Sequence, residues 1–370
     1  MKKINISQID SNFKTQEVDG HKIIYHSVMN KPFVFEGLGW KNYPYYRIPC
    51  NFTDKDVNNG VLELSHQTAG CCVRFRSNSK YIALKAQLEY SSDMNHMPRC
   101  GSSGFDLYIK NRYGQFVFIR AVQPNYKEID LERIVYSDAP AKMNEYLLNF
   151  PLYGGAKEVQ IGLDPDSLIE EATPHKIAKP ILFYGSSITQ GGCASRPGNV
   201  YTSILCRKLD APQINLGFSG SAKGETAMAE AIASLDLSCF VMDYDHNAPD
   251  PEHLAATHEK FFKIIRKKNP KLPILIISKC DFHKGEFFNE ERREIVRKTY
   301  ENAVASGDKY TAFIDGETLW GKVNRDACSV DGCHPNDFGF YRMADKIYPV
   351  LKTLINKNNI NINSREEKEK

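Results

Sequence analysis

The sequence predicts an α/β chain in two parts: an all-β sandwich of jelly-roll type, followed by a flavodoxin-like three-layer α/β domain. Three observations predict it. Residues 21–163 break into short segments of alternating polar and apolar residues between turn formers, and none holds a helical period. From about residue 180, apolar runs of four or five residues alternate with amphipathic stretches long enough for crossover helices. At 370 residues the chain also exceeds what one hydrophobic core usually spans.

Taken in order, residues 1–20 form a lead-in, in which two lysines are followed by no apolar core, so no export signal is expected. Strands are expected at 22–28, 61–66, 71–76, 81–88, 105–110, 115–122, 145–150 and 158–163. Val73-Arg74-Phe75-Arg76 shows the alternation of a strand with one buried and one solvated face. Asn58-Asn59-Gly60, Arg76-Ser77-Asn78-Ser79 and Tyr113-Gly114 supply the turns. The sandwich is placed at 21–170. The polar stretch 167–179, with Pro174, reads as a connection, its linker proper at 171–178.

The second domain is placed at 179–356, with parallel strands at 181–184, 213–216, 240–244, 274–278 and 312–315. One helix starts after Asn289 as N-cap, sets Val296, Tyr300, Ala303 and Val304 on one face and stops at Gly307. The last helix, 336–354, places Tyr341, Ala344, Tyr348 and Leu351 on one stripe. Residues 357–370 are polar and charged and read as a disordered tail.

Composition excludes several function classes. A net charge of +3, with Lys and Arg scattered among acids, makes no case for nucleic acid. No run of apolar residues approaches the 18 or so of a membrane span. Ten cysteines without an export signal suit reduced thiols and a cytoplasmic location. Whether Cys328 and Cys333 bridge stays open, as does the oligomeric state. No His or Cys spacing suggests a metal, and the Gly-rich turn lacks the lysine of a phosphate loop, so neither metal nor cofactor is expected.

The chemistry centres on residues 181–192, ILFYGSSITQGG. A buried strand that runs into a small-residue elbow and then a helix can present a hydroxyl at the carboxyl edge of a sheet. Serine is a poor nucleophile until a base takes its proton, so the elbow predicts a histidine oriented by an acid. Asp331 and His334, in DGCHP near the other end, supply that pair. Each feature also has a plainer reading: Gly220 as loop glycine, Asn247 as turn former before a proline, Asp331 and His334 as a helix cap.

Four blocks in order, GSSITQGG, Asn215 to Gly220, Asn247 and DGCHPND, resemble the SGNH, or GDSL-like, hydrolases. Gly104-Phe105-Asp106-Leu107-Tyr108, with Tyr46-Arg47-Ile48-Pro49 and Met94-Asn95-His96-Met97, resembles the GxDLY domain that precedes some of them. The resemblance implies Ser187 as nucleophile, His334 as base and Asp331 as its orienting acid. The Ser187 and Gly220 N–H groups and the Asn247 amide would form the oxyanion hole. The family's usual acid before the nucleophile is Ser186 here, and motif register selects Ser187 over it.

A flat sheet edge offers little enclosure, so sandwich loops are expected to wall the cleft. Tyr46, Arg47, Asn95 and His96, with His246 beside Asn247, are the candidate substrate contacts. The alternative is that Arg47 pairs with Asp106 inside the sandwich. The implied activity is a serine esterase removing a short acyl group, acetyl above all, from a small-molecule or oligosaccharide ester. An acyltransferase using the same acyl-enzyme and a non-catalytic carbohydrate-binding protein are the alternatives.

Overall fold

A computed structural model of the chain describes residues 16–40, 45–280 and 289–366. The first domain is built from β1 (Gln16–Val18), β2 (His21–Ser27), β3 (Val34–Glu36), β4 (Cys72–Ser77), β5 (Ile82–Leu88), β6 (Phe105–Lys110), β7 (Phe116–Val122), β8 (Asp130–Tyr136), β9 (Asn144–Asn149), β10 (Ala156–Leu163) and β11 (Ile169–Glu170). One sheet runs β1-β2-β10-β5-β8; the other runs β11-β4-β9-β6-β7, with β3 also paired to β4. Every pairing in both is antiparallel. Val73 and Phe75 of one sheet and Leu84 and Ile161 of the other meet in a shared apolar core, so the alternation of each strand becomes an inside and an outside.

Where the structure departs from the sequence reading, local chemistry explains it. Residues 61–66 are not a strand: 61–64 lie in helix α1 (Asn59–Leu64) and 65–66 in the turn after it. The Asn58 side chain accepts the Val61 N–H at 3.2 Å, a cap that the Asn-Asn-Gly run supplies and that outweighs a four-residue alternation. β1 lies inside the expected lead-in and β11 inside the expected connection. Both are edge pieces too short to show a period.

The second domain opens with β12 (Ile181–Gly185). After α2 (Arg99–Ser102) of the first domain, its helices are α3 (Ser187–Gln190), α4 (Tyr201–Leu209), α5 (Thr226–Ala233), α6 (Pro251–Lys268), α7 (Asn289–Ala305) and α8 (Asp337–Glu366). Its other strands are β13 (Gln213–Gly217), β14 (Cys239–Asp243), β15 (Ile274–Ile277) and β16 (Thr311–Ile314). The sheet is parallel throughout, in the order β13-β12-β14-β15-β16. Ile181, Phe183 and Val241 pack on the α4 and α8 side, whereas Leu182, Tyr184 and Phe240 pack on the α5 and α6 side. Burial on both faces explains why these strands read as unbroken apolar runs.

β12 lies between β13 and β14, and the chain leaves the carboxyl ends of the adjacent β12 and β14 toward opposite faces, α4 on one and α6 on the other, which opens a crevice there. The last helix is seated by Phe340, Met343, Ala344, Ile347 and Leu351; Tyr341 is 56% exposed and lies off that stripe. With no Gly or Pro after Pro349, nothing in the sequence stops α8, and it continues to Glu366, past the boundary expected at 356. Residues 1–15 of the lead-in and 367–370 of the tail lie outside the described residues. In α7, Val296 and Ala303 are buried and Val304 is exposed. No helix among the described residues is long and apolar enough to cross a membrane.

Candidate active site

The elbow is set by close packing. A Cβ on Gly185 would collide with the Thr189 side chain and the Asp243 carbonyl, and one on Gly217 would collide with the Gln190 backbone. Helix α3 therefore sits directly on the strand ends. Ser186, buried, is its N-cap, with Oγ accepting the Ile188 N–H at 3.2 Å. Ser187, one residue on, points elsewhere: its Oγ lies 2.9 Å from His334 Nε2. Gly191 closes the turn at a φ of 114°, and the Gly191 and Gly192 N–H groups both bond the Ser187 carbonyl.

His334 is held from its other side. Asp331 Oδ2 lies 2.7 Å from His334 Nδ1, and Asp331 Oδ1 accepts the backbone N–H groups of His334 at 2.7 Å and Cys333 at 3.0 Å. Burial alone would raise the Asp331 carboxyl, yet these N–H donors and the imidazole hold it down at about 2. An ionised Asp331 keeps the proton on Nδ1 and leaves the Nε2 lone pair toward the Ser187 hydroxyl.

Gly220 is exposed, has a φ of 65°, and a Cβ there would meet nothing; the constraint on it is the left-handed backbone. The Asn247 amide donates to the Phe218 carbonyl at 2.7 Å, which ties the Asn247 turn to the loop carrying Gly220. His246 Nε2 lies 3.7 Å from Cys333 Sγ. Burial, helped by the charges of Lys279 and Arg292, lowers His246 to about 3, so the ring is neutral.

Of the sandwich residues, His96 reaches the cleft: its ring centroid is 5.9 Å from that of His334. Asn95 is exposed in the same loop. Tyr46 packs edge-on against His66 and joins the core on the α5 and α6 side. Arg47 is corrected: at 1% exposure it cannot meet a substrate. Its guanidinium donates to the carbonyls of Asn215 at 2.9 Å, Gly217 at 2.9 Å and Leu64 at 2.7 Å, and covers the Phe218 ring. Nor does it pair with Asp106, which instead meets Arg196 of the second domain at 3.0 Å.

Sequence reasoning passed over several residues behind the elbow. Asp243, at the end of β14, accepts from Thr189 at 3.0 Å and Tyr201 at 2.9 Å, and burial, with Asp245 adding to it, pushes its carboxyl up to about 8. Gln190 accepts the Ser219 N–H at 2.9 Å and donates to Gln67 and to the Leu152 carbonyl. Tyr153, also from the sandwich, donates to the Ser187 carbonyl at 3.4 Å. An acid at a parallel strand's carboxyl end was a readable signal for Asp243; the others had none. The ten cysteines form no disulfide, and Cys328 and Cys333 stand apart, with Arg342 near one and His246 near the other.

Residues 178–352 match the GDSL-like Lipase/Acylhydrolase family, and residues 23–169 match the N-terminus of Esterase_SGNH_hydro-type. A solved structure described as a GDSL-like lipase from Bacteroides ovatus is 28% identical, with a TM-score of 0.82, covering 90% of this chain and 98% of its own. The salicylyl-acyltransferase SsfX3 from a tetracycline biosynthetic pathway is 19% identical, with a TM-score of 0.73, covering 87% and 95%. An acetyl xylan esterase, Est2A, from Butyrivibrio proteoclasticus is 14% identical, with a TM-score of 0.57, covering 90% and 98%. The last two likenesses are of fold. Among curated proteins, none matches this chain.

Proposed function

We infer from membership of the GDSL-like lipase/acylhydrolase family, to which residues 178–352 belong, that this enzyme is a serine esterase acting through an acyl-enzyme on Ser187. The observation that carries the reading is the chain of contacts from Ser187 Oγ to His334 Nε2 at 2.9 Å and from His334 Nδ1 to Asp331 Oδ2 at 2.7 Å. His334 takes the hydroxyl proton as Ser187 attacks the ester carbonyl, and returns it to the departing alcohol. The N–H groups of Ser187 and Gly220 and the Asn247 amide receive the oxyanion. Water, activated by the same histidine, then releases the acid.

We take the acyl group to be short, acetyl above all, and the alcohol to be a carbohydrate. Structural neighbours of the same two-domain build include acetyl xylan and other carbohydrate esterases, which supports that choice. An acyltransferase is the second reading, favoured by the likeness to the salicylyl-acyltransferase. The strand order supports a flavodoxin-like layering, and the paired antiparallel sheets support a jelly-roll-like sandwich. Ten unbridged cysteines suit a reducing compartment, and we place the enzyme in the cytoplasm. The test is a screen of acetylated sugars and aryl esters of graded chain length, run with and without alcohol acceptors. Hydrolysis that peaks at acetyl and is lost in Ser187→Ala supports the reading; indifference to Ser187→Ala overturns it.

A further inference from the structure

We propose that His96, Cys193 and His334 form a binding site for a borderline-soft divalent cation of the Zn²⁺ type, which reversibly shuts the active site. One ligand atom from each of the three residues lies within 4.8 Å of the other two. Two imidazoles and a thiol are the donor set that such ions select, and Mg²⁺ or Ca²⁺, which want several oxygen ligands, find none among these three. Bonds of about 2.0–2.3 Å in tetrahedral geometry put donor atoms roughly 3.5 Å apart, so closure by about 1 Å completes the site. His96, exposed on its loop, supplies that movement.

The other two ligands are already fixed. Cys193 is buried, and its backbone holds a φ of 73°, a left-handed conformation, just after the Gly191-Gly192 turn, that sets where the thiol lies. His334 is oriented by Asp331 at 2.7 Å on Nδ1, the carboxylate-to-histidine support that metal-binding imidazoles use, which leaves Nε2 as the nitrogen for the ion. Nε2 is also the atom facing Ser187 Oγ. An ion there takes the lone pair that would accept the serine proton, while Cys193 gives its own proton to solvent as it binds. The blocking rests on the reading of His334 as base; the binding does not.

The purified full chain, stripped with a chelator, is titrated with Zn²⁺ and Mg²⁺ during ester hydrolysis, and separately with Co²⁺ by absorption. Expected are inhibition by Zn²⁺ that chelator reverses, no inhibition by Mg²⁺, and a thiolate-to-Co²⁺ charge-transfer band. Cys193→Ser, with its hydrolysis intact, should need more than roughly tenfold higher Zn²⁺ for the same inhibition and should lose the band. If Cys193→Ser does not fold, His96→Gln is read by the Co²⁺ spectrum alone, where the titration midpoint should rise by a similar factor. No charge-transfer band in the unaltered chain, a band that survives Cys193→Ser, a midpoint unmoved in His96→Gln, or equal Zn²⁺ inhibition with and without the thiol overturns the site. If the chain hydrolyses no ester, the spectrum still decides binding, so failure of the esterase reading remains a separate result.

Discussion

Asp106 of the sandwich accepts the backbone N–H of Gly198 in the hydrolase domain at 2.8 Å, with the same carboxylate oxygen 3.0 Å from Arg196 Nη1. Asp106 is fully buried, so this acid is a clamp between domains. The turn it grips continues to Ser195 and Asn199, whose side chains bond Asp337 at the start of α8, three residues after His334. Asp106→Ala removes the acceptor of the Gly198 N–H and of the Asn149 amide and leaves Arg196 with Tyr108 but no carboxylate, a loss on the order of 3 kcal/mol. We expect a lower Tm together with a fall in kcat larger than any change in KM. An unchanged Tm would show that the clamp is dispensable.

The two adjacent serines should separate cleanly. Ser187→Ala removes the hydroxyl that faces His334 and should abolish hydrolysis. Ser186→Ala removes the α3 cap, costs about 1 kcal/mol of stability and leaves much of the activity. Assays of both variants at matched fractions folded check this, and the reverse result reassigns the nucleophile.

Asn247→Ala should lower kcat by roughly 10²–10³ with KM nearly unchanged, because an oxyanion contact strengthens only as charge develops. A change confined to KM would make Asn247 a substrate contact.

Asp243 makes stability depend on pH. Its folded carboxyl titrates at about 8, above its unfolded value, so between roughly pH 4 and 8 the folded chain binds the extra proton. Stability from this group is therefore present at low pH and lost as pH rises toward 8. Asp243→Asn can still accept from Thr189 and Tyr201 and has no such titration. Its Tm relative to the unaltered protein should rise steadily from pH 5 to 8, with a slope of up to about 1.4 kcal/mol per pH unit. A constant difference would show that Asp243 is ionised throughout.

Residues 179–356 expressed alone should be poorly soluble or weakly active. They would lose the Arg47 bonds to Asn215 and Gly217, the Gln67 contact to Gln190 and the Tyr153 contact to Ser187. Full activity of the isolated segment would show that the sandwich is not part of the active-site wall.

The sequence by itself determined what is local. Runs rich in apolar residues located β12, β13 and β14, because strands buried on both faces draw mostly on apolar side chains, and the glycines that end β12 and β13 lie where a pressed-on helix leaves no room for a Cβ. The Asp331 and His334 pair was legible for the same reason, being one turn closed by its own side chain. The helix at Asn59–Leu64 was missed because a cap competes with alternation over only four residues. Tertiary structure alone decided the rest. It turned Arg47 from a surface residue into a buried brace behind the Gly220 loop, and gave Asp106 a partner 90 residues away. It also brought His96, Cys193 and His334 from three separate segments to one point. No spacing along the chain encodes such meetings, since they depend on how the two domains pack together, with residues such as Val61 and Leu152 of the first buried in the cores of the second.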